Sequence, residues 1–400
     1  MKFSPNISRL QPSATIAVST LAKRLRAEGR DIIDLSAGEP DFGTPEWISE
    51  GGIEGIRSGA TRYTPVSGIP ELRRAIAGYL ESVGGKPVEW EGVVVASGAK
   101  QALFNSAFTL FGPGDEVLVG APYWTSYPQM VTLARAEPIP VSGDPDRNFL
   151  LTCADLDAAY TERTRGLILC SPSNPTGAVY ALEELREIAE WTKEKDIVLI
   201  ADEIYREIYF GDDRSIAPSI LELPAESVGS HVLIDGASKC FAMTGWRIGF
   251  AGGPEWIIKA MGKLQSQSTS NPCSISQAAA VAALTGPQDF LEDRNAVFKK
   301  RRDMVVAMLN DAPGLDCPTP EGAFYVYPDA SGVIGKTTPK GAVIDSDEAL
   351  IGYFLDEAKV AAVHGAAFGL SPAFRISYAT SDDVLRKACT RIQEACAALK

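Results

Sequence analysis

Histidine is almost missing from this chain: His231 and His364 are the only two in 400 residues. Zinc sites built on several imidazoles, and a Ser-His-Asp triad, have little raw material here. Cysteine offers no framework either. Cys153, Cys170, Cys240, Cys273, Cys317, Cys389 and Cys396 are scattered, odd in number and form no C-x-x-C pair. Reduced thiols in a cytoplasmic protein are the simplest reading. No segment approaches a membrane span, and the opening Met1-Lys2-Phe3-Ser4-Pro5 has no apolar leader. Positive charge is the scarcer sign, with 38 Lys and Arg against 51 Asp and Glu, a net charge of −13. That balance argues against nonspecific binding to nucleic acid or anionic membrane. The composition is otherwise that of an ordinary globular protein, with 45% hydrophobic and 22% charged residues. The length suits two or three domain-sized units, each able to bury a core.

Short apolar runs alternate with helical patterns through the middle of the chain. Strands are expected at 93–96, 116–119, 167–170, 197–201, 232–235 and 248–251, and helices at 101–111, 182–195 and 277–284. Continuous apolar strands spaced by helices predict an α/β fold with a mainly parallel sheet covered on both faces. After Phe290 the pattern changes to a long charged helix over 290–310. A helix at 346–359, short strands at 360–363 and 374–378, and a last helix at 382–399 follow. This half reads as a smaller α+β unit, with an exposed loop over 331–345.

Chemistry concentrates at the strand ends. Lys239 follows the run Val232–Asp235 and three small or hydroxyl residues. Alone it would be a solvent lysine, but its neighbours change the reading. Asp202 caps the run Ile197–Ala201, where a buried carboxylate needs a partner, whether a structural cation or a protonated ring nitrogen. Tyr205 follows it, either as a core phenol or as a donor to a bound oxygen. Ser97-Gly98-Ala99-Lys100 joins a strand to a helix, a weak signal by itself for an anion at a helix N-terminus. Ser238 and Arg247 would add a hydroxyl and a guanidinium to the same anion. Trp124 could stack on a ring or fill core. Arg375, a charge inside the apolar run Phe374–Tyr378, is either a cross-strand ion pair or a fork for a carboxylate. Together the amine, acid, phenol, hydroxyl and guanidinium are the parts that hold pyridoxal 5'-phosphate (PLP).

These residues lie within a longer ordered set. It comprises Pro12-Ser13-Ala14-Thr15, Gly38-Glu39-Pro40-Asp41-Phe42, Tyr63, Gly68-Ile69-Pro70-Glu71-Leu72-Arg73, Ser173-Asn174-Pro175-Thr176-Gly177, Asp202-Glu203-Ile204-Tyr205, Ser238-Lys239, Thr244-Gly245-Trp246-Arg247-Ile248-Gly249 and Phe374-Arg375-Ile376-Ser377. On it, the chain resembles the class I, fold-type I PLP-dependent aminotransferases, and within them the bacterial aspartate (aspartate/prephenate) subgroup. The resemblance implies a large, mainly parallel seven-stranded α/β/α sheet domain at 46–290. It implies a smaller α+β domain at 291–400, joined by an N-terminal segment at 1–45.

It also implies roles. Lys239 would be the cofactor's lysine and the proton carrier, Asp202 the partner of the ring nitrogen, and Tyr205 and Asn174 the contacts to the phenolic oxygen. Gly98, Ala99, Ser238 and Arg247 would hold the phosphate beside Lys100, and Trp124 would stack on the ring. Tyr63 would reach in from a second subunit, so a homodimer with shared sites is expected. Arg375, Asn174, Trp124 and the Gly38 backbone would take the substrate α-carboxylate. Lys100, with Thr15 and with Arg9 as a further candidate, would take a distal one. That points to aspartate and glutamate with oxaloacetate and 2-oxoglutarate, with prephenate as an additional acceptor and ping-pong kinetics. An aminotransferase for aromatic or neutral amino acids on the same scaffold is the alternative. One departure is visible: His364 stands where many relatives carry proline, which predicts a less rigid loop there.

Overall fold

The computed structural model describes residues 4–400. The first three residues, part of the N-terminal segment expected at 1–45, lie outside them. Among the described residues, twelve strands run in chain order: β1 (Ile33–Asp34), β2 (Val93–Ala96), β3 (Glu116–Ala121), β4 (Glu137–Ser142), β5 (Thr164–Cys170), β6 (Val198–Asp202), β7 (His231–Gly236), β8 (Gly249–Gly252), β9 (Tyr325–Val326), β10 (Val360–Ala361), β11 (Val363–His364) and β12 (Phe374–Ser377). Seven of them form one sheet in the order β2-β8-β7-β6-β5-β3-β4, in which only β8 runs antiparallel to its neighbours. This is the expected α/β architecture.

Alternation along each strand explains the layering. Val93, Val95, Leu167, Leu169, Leu199 and Leu233 point into one core, packed against the helices Pro70–Gly84, Leu182–Glu194 and Ser274–Thr285. Val94, Ala96, Ile168, Ile200, Val232 and Ile234 point into the other, against Ala99–Leu110, Ser126–Leu133 and Glu255–Ser268. With both faces covered, the strands carry continuous apolar runs, the pattern visible in the sequence.

β4 has no such run. Glu137-Pro138-Ile139-Pro140-Val141-Ser142 carries two prolines, tolerated because β4 is the sheet's edge and pairs on one side only. The helices Ala14–Ala27, Glu46–Arg57, Pro70–Gly84 and Glu255–Ser268 were likewise not among the sequence expectations.

The remaining strands make two small sheets. β1 pairs parallel with β10, so the N-terminal segment is built into the C-terminal part. β11, β12 and β9 form an antiparallel sheet. The helix Phe290–Asn310 packs beside the last helix, Asp382–Ala397, over a core holding Phe324, Phe354, Phe374 and Leu385. The expected single strand at 360–363 is split between two sheets, and the expected helix at 346–359 is Asp347–Tyr353 followed by a wider π turn, Phe354–Ala358. His364 has φ −64°, the value proline imposes, so the backbone there keeps the geometry that proline would fix.

Candidate functional site

The parallel strands all end on one side of the large sheet, where open α/β sheets place their ligands. A cavity of about 400 Å³ lies there. Its walls come from the ends of β2, β6 and β7, the loops after β3 and β5, β9 and β12 of the small sheet, the segment 37–39 and the helix Ala14–Ala27.

Lys239 follows β7 by three residues, and its Nζ donates to the Gly38 carbonyl at 2.6 Å. Burial, reinforced by the Arg375 guanidinium, lowers its pKa to about 8. Asp202 ends β6 and is 3% exposed. Tyr127 donates its hydroxyl to Asp202 Oδ2 at 2.5 Å, and the Ile204 N–H reaches Oδ1 at 3.3 Å. Among the described residues no cation hydrogen-bonds or ion-pairs with this carboxylate, and burial raises its pKa to about 6. A base and an acid with pKa values displaced toward neutrality thus face one cavity.

Gly98 caps the helix Ala99–Leu110 with φ +91° and ψ 157°, a conformation open essentially to glycine alone. A Cβ at Gly98 would fall inside the Arg247 guanidinium. Arg247 Nη1 donates to the Thr244 carbonyl at 2.8 Å and Nη2 to the Ser97 carbonyl at 3.3 Å, which aims the guanidinium across the helix N-terminus. Ala99 and Ser238 line the same corner.

Arg375, in the middle of β12, is 1% exposed. Its Nη1 donates to Asn174 Oδ1 at 2.8 Å and its Nη2 to the Ser36 carbonyl at 2.7 Å, while Nε has no partner. Among the described residues no acid pairs with it. The cross-strand ion pair considered from sequence is absent, and a buried cation in that state awaits an anion. Lys100 is more exposed, but among the described residues no acid pairs with it either: its Nζ sits 4.9 Å over the Trp124 ring, and partial desolvation followed by Arg247 lowers its pKa. Thr15 Oγ1 is buried without a partner and also lines the cavity.

The structure therefore brings Thr15, Gly38, Ala99, Lys100, Trp124, Asn174, Asp202, Tyr205, Ser238, Lys239, Arg247 and Arg375 to one cavity, with Gly98 at its rim. It leaves two candidates outside. Tyr63 is 91% exposed, and Arg9, also exposed, lines no part of the cavity. Sequence reasoning missed Tyr127 and Tyr325. Tyr127 follows Trp124 by three residues, one turn along, the only signal that could have flagged it. Tyr325 lies in the aromatic run Phe324-Tyr325-Val326-Tyr327, where nothing in the sequence sets it apart from its neighbours.

The residues fit PLP as the resemblance expects. A depressed lysine, a buried carboxylate without a cation and a glycine cradle under a guanidinium supply its three polar ends, an aldehyde, a ring nitrogen and a phosphate. The comparisons with known proteins agree on the class. Residues 30–392 match the family model Aminotransferase class I and II, and the chain belongs to that family. It is 49% identical to a protein of Rhizobium leguminosarum bv. phaseoli named probable aspartate/prephenate aminotransferase, over 98% of both chains. It is 50% identical to the aspartate/prephenate aminotransferase of Cereibacter sphaeroides, over 99% of both. The crystal structure of the Rhizobium meliloti aspartate aminotransferase superposes with a TM-score of 0.95 at 44% identity, covering 100% of both chains.

Proposed function

We propose that this aminotransferase uses PLP to move an amino group between L-aspartate or L-glutamate and 2-oxo acids, with oxaloacetate, 2-oxoglutarate and prephenate as acceptors. The observation that carries the substrate reading is a pair of cations with no acid partner among the described residues, the buried Arg375 and the more exposed Lys100, in one cavity. A substrate with two carboxylates satisfies both, and the relatives' names point the same way.

PLP, when bound, supplies an aldehyde that condenses with amines and a pyridinium ring that accepts electron density. The chain's own residues do the rest. Lys239 would hold the cofactor and, as a free amine, take the proton from the substrate Cα and return it later in the cycle. A pKa near 8 leaves a useful neutral fraction close to neutral pH. Asp202 would keep a proton on the ring nitrogen, with Tyr127 holding its other oxygen. The amide N–H groups of Asn174 and the hydroxyl of Tyr205 would meet the phenolic oxygen. Gly98, Ala99, Ser238 and Arg247 would hold the phosphate, and Trp124 would stack on the ring. Arg375 would fork the α-carboxylate, helped by Asn174 and the Gly38 backbone, and Lys100 with Thr15 would take the distal one.

The exposed Tyr63 supports a homodimer in which each subunit completes its partner's phosphate site. The pairing of β1 with β10 supports a small domain made of 1–45 and 291–400 around a PLP domain at 46–290. Seven free cysteines support a cytoplasmic setting, and no helix among the described residues is long and apolar enough to cross a membrane. The test is spectral. The PLP-loaded protein is converted to its amino form with L-glutamate, then offered oxaloacetate, prephenate or phenylpyruvate separately. Recovery of the original spectrum with oxaloacetate is expected, and comparable recovery with prephenate would add that acceptor. Recovery with phenylpyruvate but not oxaloacetate would overturn the dicarboxylate reading.

A further inference from the structure

Tyr325 stands where three parts of the site meet. It lies on β9, paired with β12, and is 1% exposed. Its hydroxyl is 2.9 Å from that of Tyr205, with either oxygen able to donate. Its ring lies under the Arg375 guanidinium, 4.4 Å from centroid to Cζ. Gly38, whose carbonyl accepts from Lys239, must be glycine for Tyr325 to fit, because a Cβ there would come within 2.6 Å of the phenol oxygen.

We propose that Tyr325 is a positioning residue that couples the two halves of the site. Its hydroxyl makes Tyr205 a stronger donor to the cofactor's phenolic oxygen, and its ring face holds Arg375 in place for the substrate carboxylate. The inference rests on the PLP reading above. Tyr205 has one hydroxyl proton. Once that proton points to a ligand oxygen, the bond between the two phenols survives only with Tyr325 as donor. A donor that itself accepts a hydrogen bond is polarised and donates more strongly. A stronger donor lowers the proton affinity of the Lys239 nitrogen and phenolic oxygen that share a proton, and a weaker one raises it. The charged and titratable groups facing Tyr205 and that oxygen are Lys239, Arg375, Asp202 and Cys170, with Glu39 and Arg247 further along the same wall. Tyr325→Phe removes none of these groups and keeps the ring face under Arg375.

The test is a pH titration of the visible absorption of the PLP-loaded protein, with succinate binding measured by calorimetry as a second readout. Tyr325→Phe keeps the ring and should move the spectral midpoint upward by about 0.5–1 pH unit, the size of one hydrogen bond. Succinate affinity should stay within about threefold, because the ring face remains under Arg375. Tyr325→Leu should shift the midpoint equally and also weaken succinate binding on the order of tenfold, the size of a partly desolvated cation–π contact. An unchanged midpoint in the Phe variant, or an unchanged succinate affinity in the Leu variant, overturns the coupling. The Phe variant decides by itself if the Leu variant fails to fold. Failure of the PLP reading would look different, since the wild type would then show no visible band to titrate.

Discussion

Replacing Arg375 by leucine isolates what the buried fork does. In the free protein the guanidinium spends two donors on Asn174 Oδ1 and the Ser36 carbonyl and leaves Nε unpaired. A carboxylate arriving at that cation makes charge-assisted hydrogen bonds, each worth about 1.5–3 kcal/mol. Losing them should cost about 3 kcal/mol, roughly 10²-fold in affinity. Succinate suits the measurement because it carries two carboxylates and no amine to react. At a concentration 100 times its dissociation constant it should stabilise the PLP-loaded wild type by about 2.7 kcal/mol, and the same concentration should give the variant about 0.4 kcal/mol. The readout is the succinate-dependent shift of the urea unfolding midpoint, each protein compared with itself. That internal reference removes the cost of stranding Asn174 Oδ1 and the Ser36 carbonyl. A variant that keeps more than half of the wild-type shift would refute the assignment of the fork.

Lys239 titrates at about 8 when folded against 10.5 in the unfolded reference, so between those values the unfolded chain binds the extra proton. The stability of the cofactor-free protein should therefore rise with pH from about 8 to about 10.5, and Lys239→Met should flatten that part of the profile in denaturant titrations. Gly98→Ala forces a side chain into a glycine-only conformation and into Arg247. At roughly 1–3 kcal/mol of strain, PLP affinity measured by fluorescence quenching should fall about tenfold or more. Lys100→Ala should reduce kcat/KM for aspartate by about 10²-fold, the loss of one charged contact, and that for alanine far less. Equal losses for both substrates would remove Lys100 from the distal carboxylate pocket.

The buried half of the fold was open to sequence reading because its strands are apolar on both faces. β2, β5, β6 and β7 show as uninterrupted Val, Leu and Ile runs. β4 was not, since an edge strand needs pairing on one side only and can carry two prolines. The split of 360–364 between β10 and β11 was hidden for another reason: Val360, Ala361 and Val363 are all buried, and periodicity does not say into which sheet. The same logic governs the site. Lys239, Asp202 and Arg247 break apolar patterns or punctuate turns, so they stand out. Tyr127 and Tyr325 are aromatics among aromatics, and only the fold turns their hydroxyls toward Asp202 and Tyr205.

Overall charge and site charge point in opposite directions, and the difference explains how an acidic protein can select acidic substrates. The chain carries −13, yet the cavity walls hold Lys100, Lys239, Arg247 and Arg375 against Asp202 and Glu39 alone. Beyond about 10 Å salt screens the excess of surface acids, so a dianion that reaches the rim meets chiefly the local groups. Two of those cations, Lys100 and Arg375, have no acid partner among the described residues, and for the buried Arg375 that is a cost carried in the free state and relieved by an anion of matching shape. A neutral side chain leaves Lys100 unpaired. Selectivity then comes from the cation that stays unsatisfied when the wrong substrate binds, as much as from the contact made by the right one.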